Sequence, residues 1–309
     1  MGSPERGGRP GRRRPDSGAM GVAVLDKDAG WTSHDVVAKV RGILATRRVG
    51  QSGTLDPDAT GVLVVGVGPY TKLLRFLQVL PKRYECEIVF GIETETLDAA
   101  GTVVATHEME VDEAELGSEV RRLTGPIEQV PPMVSAVKID GRRLHELARK
   151  GVEVDRPPRP VEVYRFEVTP TDEPLIWRAS VECSSGTYVR VLAADLGKAL
   201  GGGAHLRALR RLSVGGFGLD DACTLDTLGP DRLLTGAAAV PGFPLARVDD
   251  VAARAVGQGA VLDADDLGVA GHGPWPVIGP DGELLAVYEL FDRGDGGRRV
   301  KPALVLGRA

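Results

Sequence analysis

Apolar and polar positions follow two periods along this chain. Gly21–Asp26 (GVAVLD) is a short, nearly unbroken apolar run and reads as a buried strand. Thr32 or Ser33 can then cap a helix whose apolar positions Val36, Val37, Val40, Ile43 and Leu44 fall at helical spacing, with Arg47-Arg48 ending it. After a glycine-rich turn, Gly61–Val67 is a second apolar strand or buried segment, and Thr71–Leu80 has a helical pattern stopped by Pro81. Tyr84–Phe90 alternates as a strand, Asp112–Leu123 is an amphipathic helix, and Val161–Val168 and Trp177–Cys183 alternate again. Tyr188–Leu200 is helical and is broken by Gly201–Gly203. Strands and helices mix without regular βαβ alternation, which predicts an α+β fold with a mixed sheet.

Three segments stand apart. Residues 1–19 are Gly, Pro and Arg with almost nothing to bury, so they are expected to be a disordered basic arm. Residues 129–160 are Pro-flanked, polar and basic, with Lys138, Arg142, Arg143, Arg149, Lys150, Arg156 and Arg159 outnumbering their acids. Residues 246–309 are short apolar runs split by Gly, Pro and Asp turns, which reads as a small β-rich domain. Order is expected to begin at Met20, and the main domain to span 20–245.

Composition narrows the class. The chain has 309 residues, 42% of them hydrophobic and 26% charged, an ordinary balance for a globular protein. Its three cysteines, Cys86, Cys183 and Cys223, form no CxxC pair, so neither a zinc knuckle nor a disulfide framework is expected. The longest strongly apolar run lies near Gly61–Gly68, far short of the ~20 residues that span a bilayer. The N-terminus lacks an apolar signal core. A reduced, cytoplasmic, soluble protein with no membrane partner is expected. The net charge of −5 argues against polyanion binding when taken whole. By segment, the arm, the 129–160 stretch and the arginines of His205–Arg211 are locally basic.

The most informative stretch is Gly50–Gly61, GQSGTLDPDATG. It places Asp56 in a tight turn, where an aspartate also serves simply to hydrogen-bond its own backbone. It is neither a P-loop nor a dinucleotide fingerprint. GTLDPxATG resembles the catalytic motif of the TruB family of tRNA pseudouridine synthases. Further motifs appear in family order from about residue 21 to 217. Leu25-Asp26-Lys27 with Gly30-Trp31-Thr32-Ser33 resembles LDKPxGxTS, Lys82-Arg83-Tyr84 resembles KxY, and Thr96–Gly101 resembles TxDxxG. Val130–Gly141 with Ala148–Gly151 resembles VPPxxSAxKxxG…ARxG, and Cys183–Arg190 and Gly203–Arg211 are similar to two more.

The resemblance implies a pseudouridine synthase catalytic domain followed by a PUA-like C-terminal domain at 246–309. It implies isomerisation of uridine 55 in the T-loop of tRNA, with no cofactor and no metal. It makes 129–160 a thumb gripping the T-arm, and a monomer without an obligatory protein partner is expected. It makes Asp56 the catalytic carboxylate, Arg190 its cationic partner, and Tyr84 the ring that stacks on the flipped uracil. Leu209 is expected to wall the other face of the base, Tyr188 to pack behind the site, and Asp98 to order a loop. Lys27, Gln51, Tyr188, Leu209, Lys138, Arg149, Arg207 and Arg210 are the expected substrate contacts, with Arg211 adding to the same basic surface. The family histidine of GHxGTLDP is Gln51 here, and the proline of LDKP is Asp28. Asp58, close to Asp56, is expected to point outward, because a second carboxylate in the site would raise the pKa of the first. Two other functions share these features: a tRNA-binding RNA chaperone that needs no Asp56, and a guide-dependent pseudouridine synthase. The thumb-like insert favours stand-alone recognition.

Overall fold

A computed structural model describes residues 16–133, 138–139, 142–143, 154–291 and 297–306. Residues 1–15 of the basic arm, most of the thumb expectation including Arg149, and the side chain of Lys138 lie outside the described residues.

The main sheet has nine strands. Its path runs from β1 (Gly21–Lys27) through β3 (Thr60–Val67), β12 (Ala204–Val214), β4 (Lys82–Phe90) and β11 (Ile176–Cys183). It ends at β10 (Arg159–Pro170) and β7 (Gly125–Gln129). The short β2 (Val49–Gln51) pairs with β3, and β13 (Phe217–Gly218) with β12. All of these pairs are antiparallel except β12 on β3. The fold is therefore α+β with a mixed sheet.

The unbroken apolar run of β3 follows from burial on both faces of the sheet. Leu63 and Val65 pack with Val36, Val40 and Leu192 of helices α1 (Ser33–Ile43) and α4 (Val189–Ala199). Here α2 is Leu74–Leu77 and α3 is Glu113–Arg122. Val62 and Val64 face the other way, onto Tyr70, Leu73 and Phe217. That second face also receives Ile278, Leu284, Val287, Leu304 and Leu306 from the C-terminal sheet. The C-terminal unit thus shares a core with the main sheet. Its five strands are ordered β14 (Ala246–Arg247), β16 (Trp275–Ile278), β17 (Leu284–Phe291), β18 (Arg299–Val305) and β15 (Leu262–Asp263). Helix α5 (Asp250–Gly257) packs against it.

Three local expectations need correction. Helix α1 ends at Ile43, before Arg47-Arg48. Ser17 caps that end from outside, its Oγ donating to the Leu44 carbonyl at 2.5 Å and its N–H to the Ala45 carbonyl at 3.0 Å. Ordered contacts therefore begin at Ser17, earlier than Met20. The Thr71–Leu80 helix is a 3-10 turn over Gly68–Leu73 followed by the single turn α2. Its end is taken by Lys82, whose buried ammonium donates to the carbonyls of Gln78 and Leu80.

The start of α1 matches its sequence. Thr32 is the N-cap, and its side chain and that of Asp35 bond each other's backbone N–H, a capping box. Thr32→Ala should cost about 1 kcal/mol. Leu63→Ala, emptying a fully buried site, should cost about 3 kcal/mol. Urea denaturation at constant m-value measures both; a Leu63→Ala loss no larger than that of Thr32→Ala would contradict this account of the core.

Candidate active site

Asp56 sits on the loop between β2 and β3, and the backbone on both sides of it is tied down. Ser33 Oγ donates to the Leu55 carbonyl (3.0 Å) and accepts from the Leu55 N–H (2.9 Å). Lys27, buried at the end of β1, donates to the carbonyls of Pro57 (2.8 Å), Asp28 (2.9 Å) and Trp31 (2.9 Å). An ammonium has three protons, so these contacts use all of its donors. Lys27 therefore braces the Asp56 loop. Arg211 holds the other side, with Nε donating to the Val62 carbonyl (2.7 Å) and Nη2 to that of Gly53 (3.2 Å). Close approach of β3 and β12 makes Gly61 obligatory. Its φ is +99°, and a Cβ there would lie 2.1 Å from the Arg211 carbonyl oxygen.

Arg190 lies in the first turn of α4 with its side chain only 5% exposed. Nη2 is 3.6 Å from Asp56 Oδ2, and Nη1 donates to Asp98 Oδ2 at 3.2 Å. Asp98 is itself fixed. Its Oδ1 accepts from Thr96 Oγ1 (2.5 Å) and the Ala100 N–H (3.2 Å), and its carbonyl accepts from Thr94 Oγ1 (2.7 Å). It both orders its loop and anchors Arg190.

Asp56, Arg190 and Arg211 line a cleft of about 330 Å³ that also contains Tyr84, Leu209, Tyr188 and Lys82. Tyr84 reaches it because β4 alternates, placing Lys82, Tyr84, Cys86, Ile88 and Phe90 on the buried face. Tyr188 also lines the cleft, its ring 5.9 Å from the Arg190 guanidinium carbon.

Charge in the cleft is set by partial burial, with Arg190 enclosed and the Asp56 side chain half-buried. Desolvation raises the Asp56 pKa above the ordinary aspartate value; Arg190 and Lys27 oppose it, while Asp98 and Asp58 add to it. Asp58 is exposed, as expected. Burial also raises the Tyr84 pKa, against the lowering effect of Arg211 beside it. Burial and the Arg211 charge bring Lys82 down to about 8. The cleft therefore offers an acid–base carboxylate, a neutral phenol and a fixed cation. No cluster of three or more metal-ligating side chains occurs among the described residues.

The remaining expected contacts are placed differently. Gln51 donates through Nε2 to Thr54 Oγ1 within its own loop (3.1 Å). Arg207 is paired with Glu87 (2.8 Å) and Glu173 (3.4 Å). Arg210 is paired with Asp26 (2.7 Å) and reaches Thr60 Oγ1 at 3.3 Å. Arg211 is 2% exposed, so it belongs to no surface. The basic face read from 205–211 is thus largely neutralised by acids on neighbouring strands. The positioning roles of Arg211 and Ser33 were missed. For Arg211 the signal was present, since it stands two residues from Leu209 on an alternating strand and so shares its inward face.

Two family models match the chain. The TruB family pseudouridylate synthase N-terminal domain matches residues 41–189, and the tRNA pseudouridylate synthase B C-terminal domain matches 190–234. A relative from Rhodococcus jostii named tRNA pseudouridine synthase B is 46% identical, over 96% of this chain and 97% of its own length. One of the same name from Thermobifida fusca is 46% identical over 88% of this chain and 94% of its own. Among solved structures, a chain of a Cbf5-Nop10-Gar1 complex superposes with a TM-score of 0.73 at 26% identity, covering 99% of this chain and 91% of that one. With the Asp56 loop, the buried Arg190 and the mixed sheet in the same order of motifs, the chain belongs to the TruB family of pseudouridylate synthases.

Proposed function

We propose that this chain is a tRNA pseudouridine synthase that isomerises uridine 55 in the T-loop of tRNA. The observation that carries the reading is the Asp56 carboxylate held at the cleft beside the buried Arg190, in a chain 46% identical to relatives of that name. The N1–C1′ bond of the uridine breaks, the base turns, and C5 bonds to C1′. The proton that leaves C5 is balanced by one gained at N1, so no cofactor is consumed. The target base is extruded from the RNA stack into the cleft. There Tyr84 and Leu209 bound it on two sides and Asp56 lies beside the reacting atoms.

Arg190 keeps Asp56 ionised against its desolvation and aims it, and Asp98 keeps Arg190 in place. Tyr84, held neutral by burial, supplies a ring face and a hydroxyl. The T-arm is gripped by the 129–160 region, with Lys138 and Arg149 as phosphate contacts. The 246–309 unit is a PUA-like module. The enzyme acts in the cytoplasm as a monomer on bare tRNA. No helix among the described residues is long and apolar enough to cross a membrane.

Three outcomes are expected. First, purified enzyme and unmodified T-arm RNA, without guide or accessory protein, yield pseudouridine at position 55 by carbodiimide mapping. Asp56→Asn abolishes this and leaves RNA binding largely intact. Product that appears only with a guide RNA would favour the guide-dependent reading, and an Asp56→Asn protein that restores tRNA folding as well as wild type would favour the chaperone.

Second, the ionised Asp56 is lost as pH falls through a pKa above the usual 3.8, so kcat/KM should fall with acid earlier than for an ordinary aspartate. The same raised pKa destabilises the charged fold. Its stabilising contribution is present at low pH and is lost as pH rises through the folded pKa. Asp56→Asn should therefore raise Tm at about pH 7 and lose that advantage at about pH 4. Equal Tm values at both would contradict the direction assigned to Asp56.

Third, Arg211→Lys, which keeps the charge but lacks the fork that reaches both Gly53 and Val62, should lower kcat by about tenfold or more with little change in KM. Single-turnover kinetics check this, and an unchanged kcat would remove Arg211 from the positioning of the Asp56 loop.

A further inference from the structure

A second groove lies where the catalytic sheet meets the C-terminal unit. Its volume is about 510 Å³, and Arg75, Phe76 and Val79 form one wall. Phe243, Pro274 and Glu289 form the other. Val79 also lines the catalytic cleft and is 63% exposed, so it is an apolar ridge between the two.

The groove is preformed. Arg75 donates to the Ala303 carbonyl on β18, and Lys72 donates to that of Val305 at 3.2 Å. Both ties cross from the catalytic unit to the C-terminal one, on top of the core they share. The two walls are therefore fixed before any ligand arrives.

The surroundings combine aromatic rings with cations. Four cation–π pairs occur among the described residues. One, Arg190 on Tyr188, is in the catalytic cleft. Of the other three, one lies within this groove and two adjoin its lining residues along the chain or across a strand pair. Arg75 covers Phe76 at 4.5 Å within it. Arg298 lies 5.9 Å from the Trp275 ring and donates to the Gly271 carbonyl, on the loop that ends in Pro274. Lys301 lies 4.6 Å from the Phe291 ring and pairs across β17–β18 with Glu289.

Rings for stacking interleaved with cations for phosphate are what an unpaired RNA strand requires. Glu289, the acid on the groove wall, suits the exocyclic or ring N–H of a base and does not suit a phosphate. We propose that this groove is a second RNA subsite, which takes the base of an unpaired nucleotide from the same strand that delivers the target uridine to the cleft. The inference rests on the synthase reading above. It adds a ligand position that the chemistry at Asp56 does not require, with Phe243 as the half-buried ring that receives the base. The shared Val79 ridge is the reason for choosing RNA, because it sets this groove directly beside the cleft that takes the target uridine.

The test uses T-arm RNAs carrying 4-thiouridine at one unpaired position at a time, crosslinked by near-ultraviolet light to the full-length Asp56→Asn protein. Peptide mass spectrometry then maps the adducts. A non-target position should crosslink to the peptide containing Phe243 or Phe76. In otherwise wild-type enzyme, Phe243→Ala should raise KM about tenfold with kcat unchanged, and Phe243→Tyr, which keeps the ring, should restore KM.

Adducts confined to cleft peptides, with KM unchanged in Phe243→Ala, would overturn the proposal. A Phe243→Ala effect on sedimentation in place of RNA affinity would overturn it too, by assigning the groove to a second copy of the chain. If wild type forms no pseudouridine on the same RNAs, the synthase reading fails and this subsite falls with it. If it does form pseudouridine and no groove adduct appears, the subsite alone fails.

Discussion

One buried guanidinium sets the terms for the rest of this molecule. Arg190 is 5% exposed and lies between two carboxylates, 3.2 Å from Asp98 and 3.6 Å from Asp56. A charge in that position is costly unless its partners are fixed. The fold answers this with rigidity on each side. Asp98 is locked by Thr94, Thr96 and the Ala100 N–H, while Asp56 is locked through the backbone of its neighbours by Ser33, Lys27 and Arg211. The Asp98 loop also joins the sheet, through the Ala99 N–H on the Leu206 carbonyl and the Leu206 N–H on the Leu97 carbonyl.

Among the described residues, most cations near the cleft are already matched or buried. Arg207 and Arg210 are matched to Glu87 and Asp26, Lys27 is consumed by carbonyls, and Arg211 is buried. The cations of the central sheet build the site.

Much of this was legible in the sequence. The strands Gly21–Lys27, Thr60–Val67 and Lys82–Phe90 were visible as apolar runs or alternation, and the start of α1 was visible in Thr32 and Ser33. Asp56, Tyr84, Arg190 and Leu209 were picked out by motif, and the structure gathers all four in one cleft. What stayed hidden was the use of charge. A lysine or arginine in a run of polar residues looks the same whether it meets solvent, a carboxylate on the next strand, or a ring of carbonyls. Only strand pairing decides, and the pairing of β12 with both β3 and β4 joins residues far apart in the chain. Helix ends were misjudged for a related reason. The end of α1 is satisfied by Ser17, and α2 is shortened because Lys82 takes the last carbonyls.

The central claim is that Asp56 is desolvated by its cleft and kept usable by Arg190. The most direct measurement is the ionisation of Asp56 itself, followed by carboxyl carbon-13 NMR in wild type, Arg190→Met and Asp98→Asn. The wild-type carboxyl should titrate above the ordinary 3.8, with Arg190→Met moving it higher and Asp98→Asn, which removes a like charge, moving it lower. An Asp56 that titrates as an ordinary aspartate in wild type and ignores both substitutions would contradict the account.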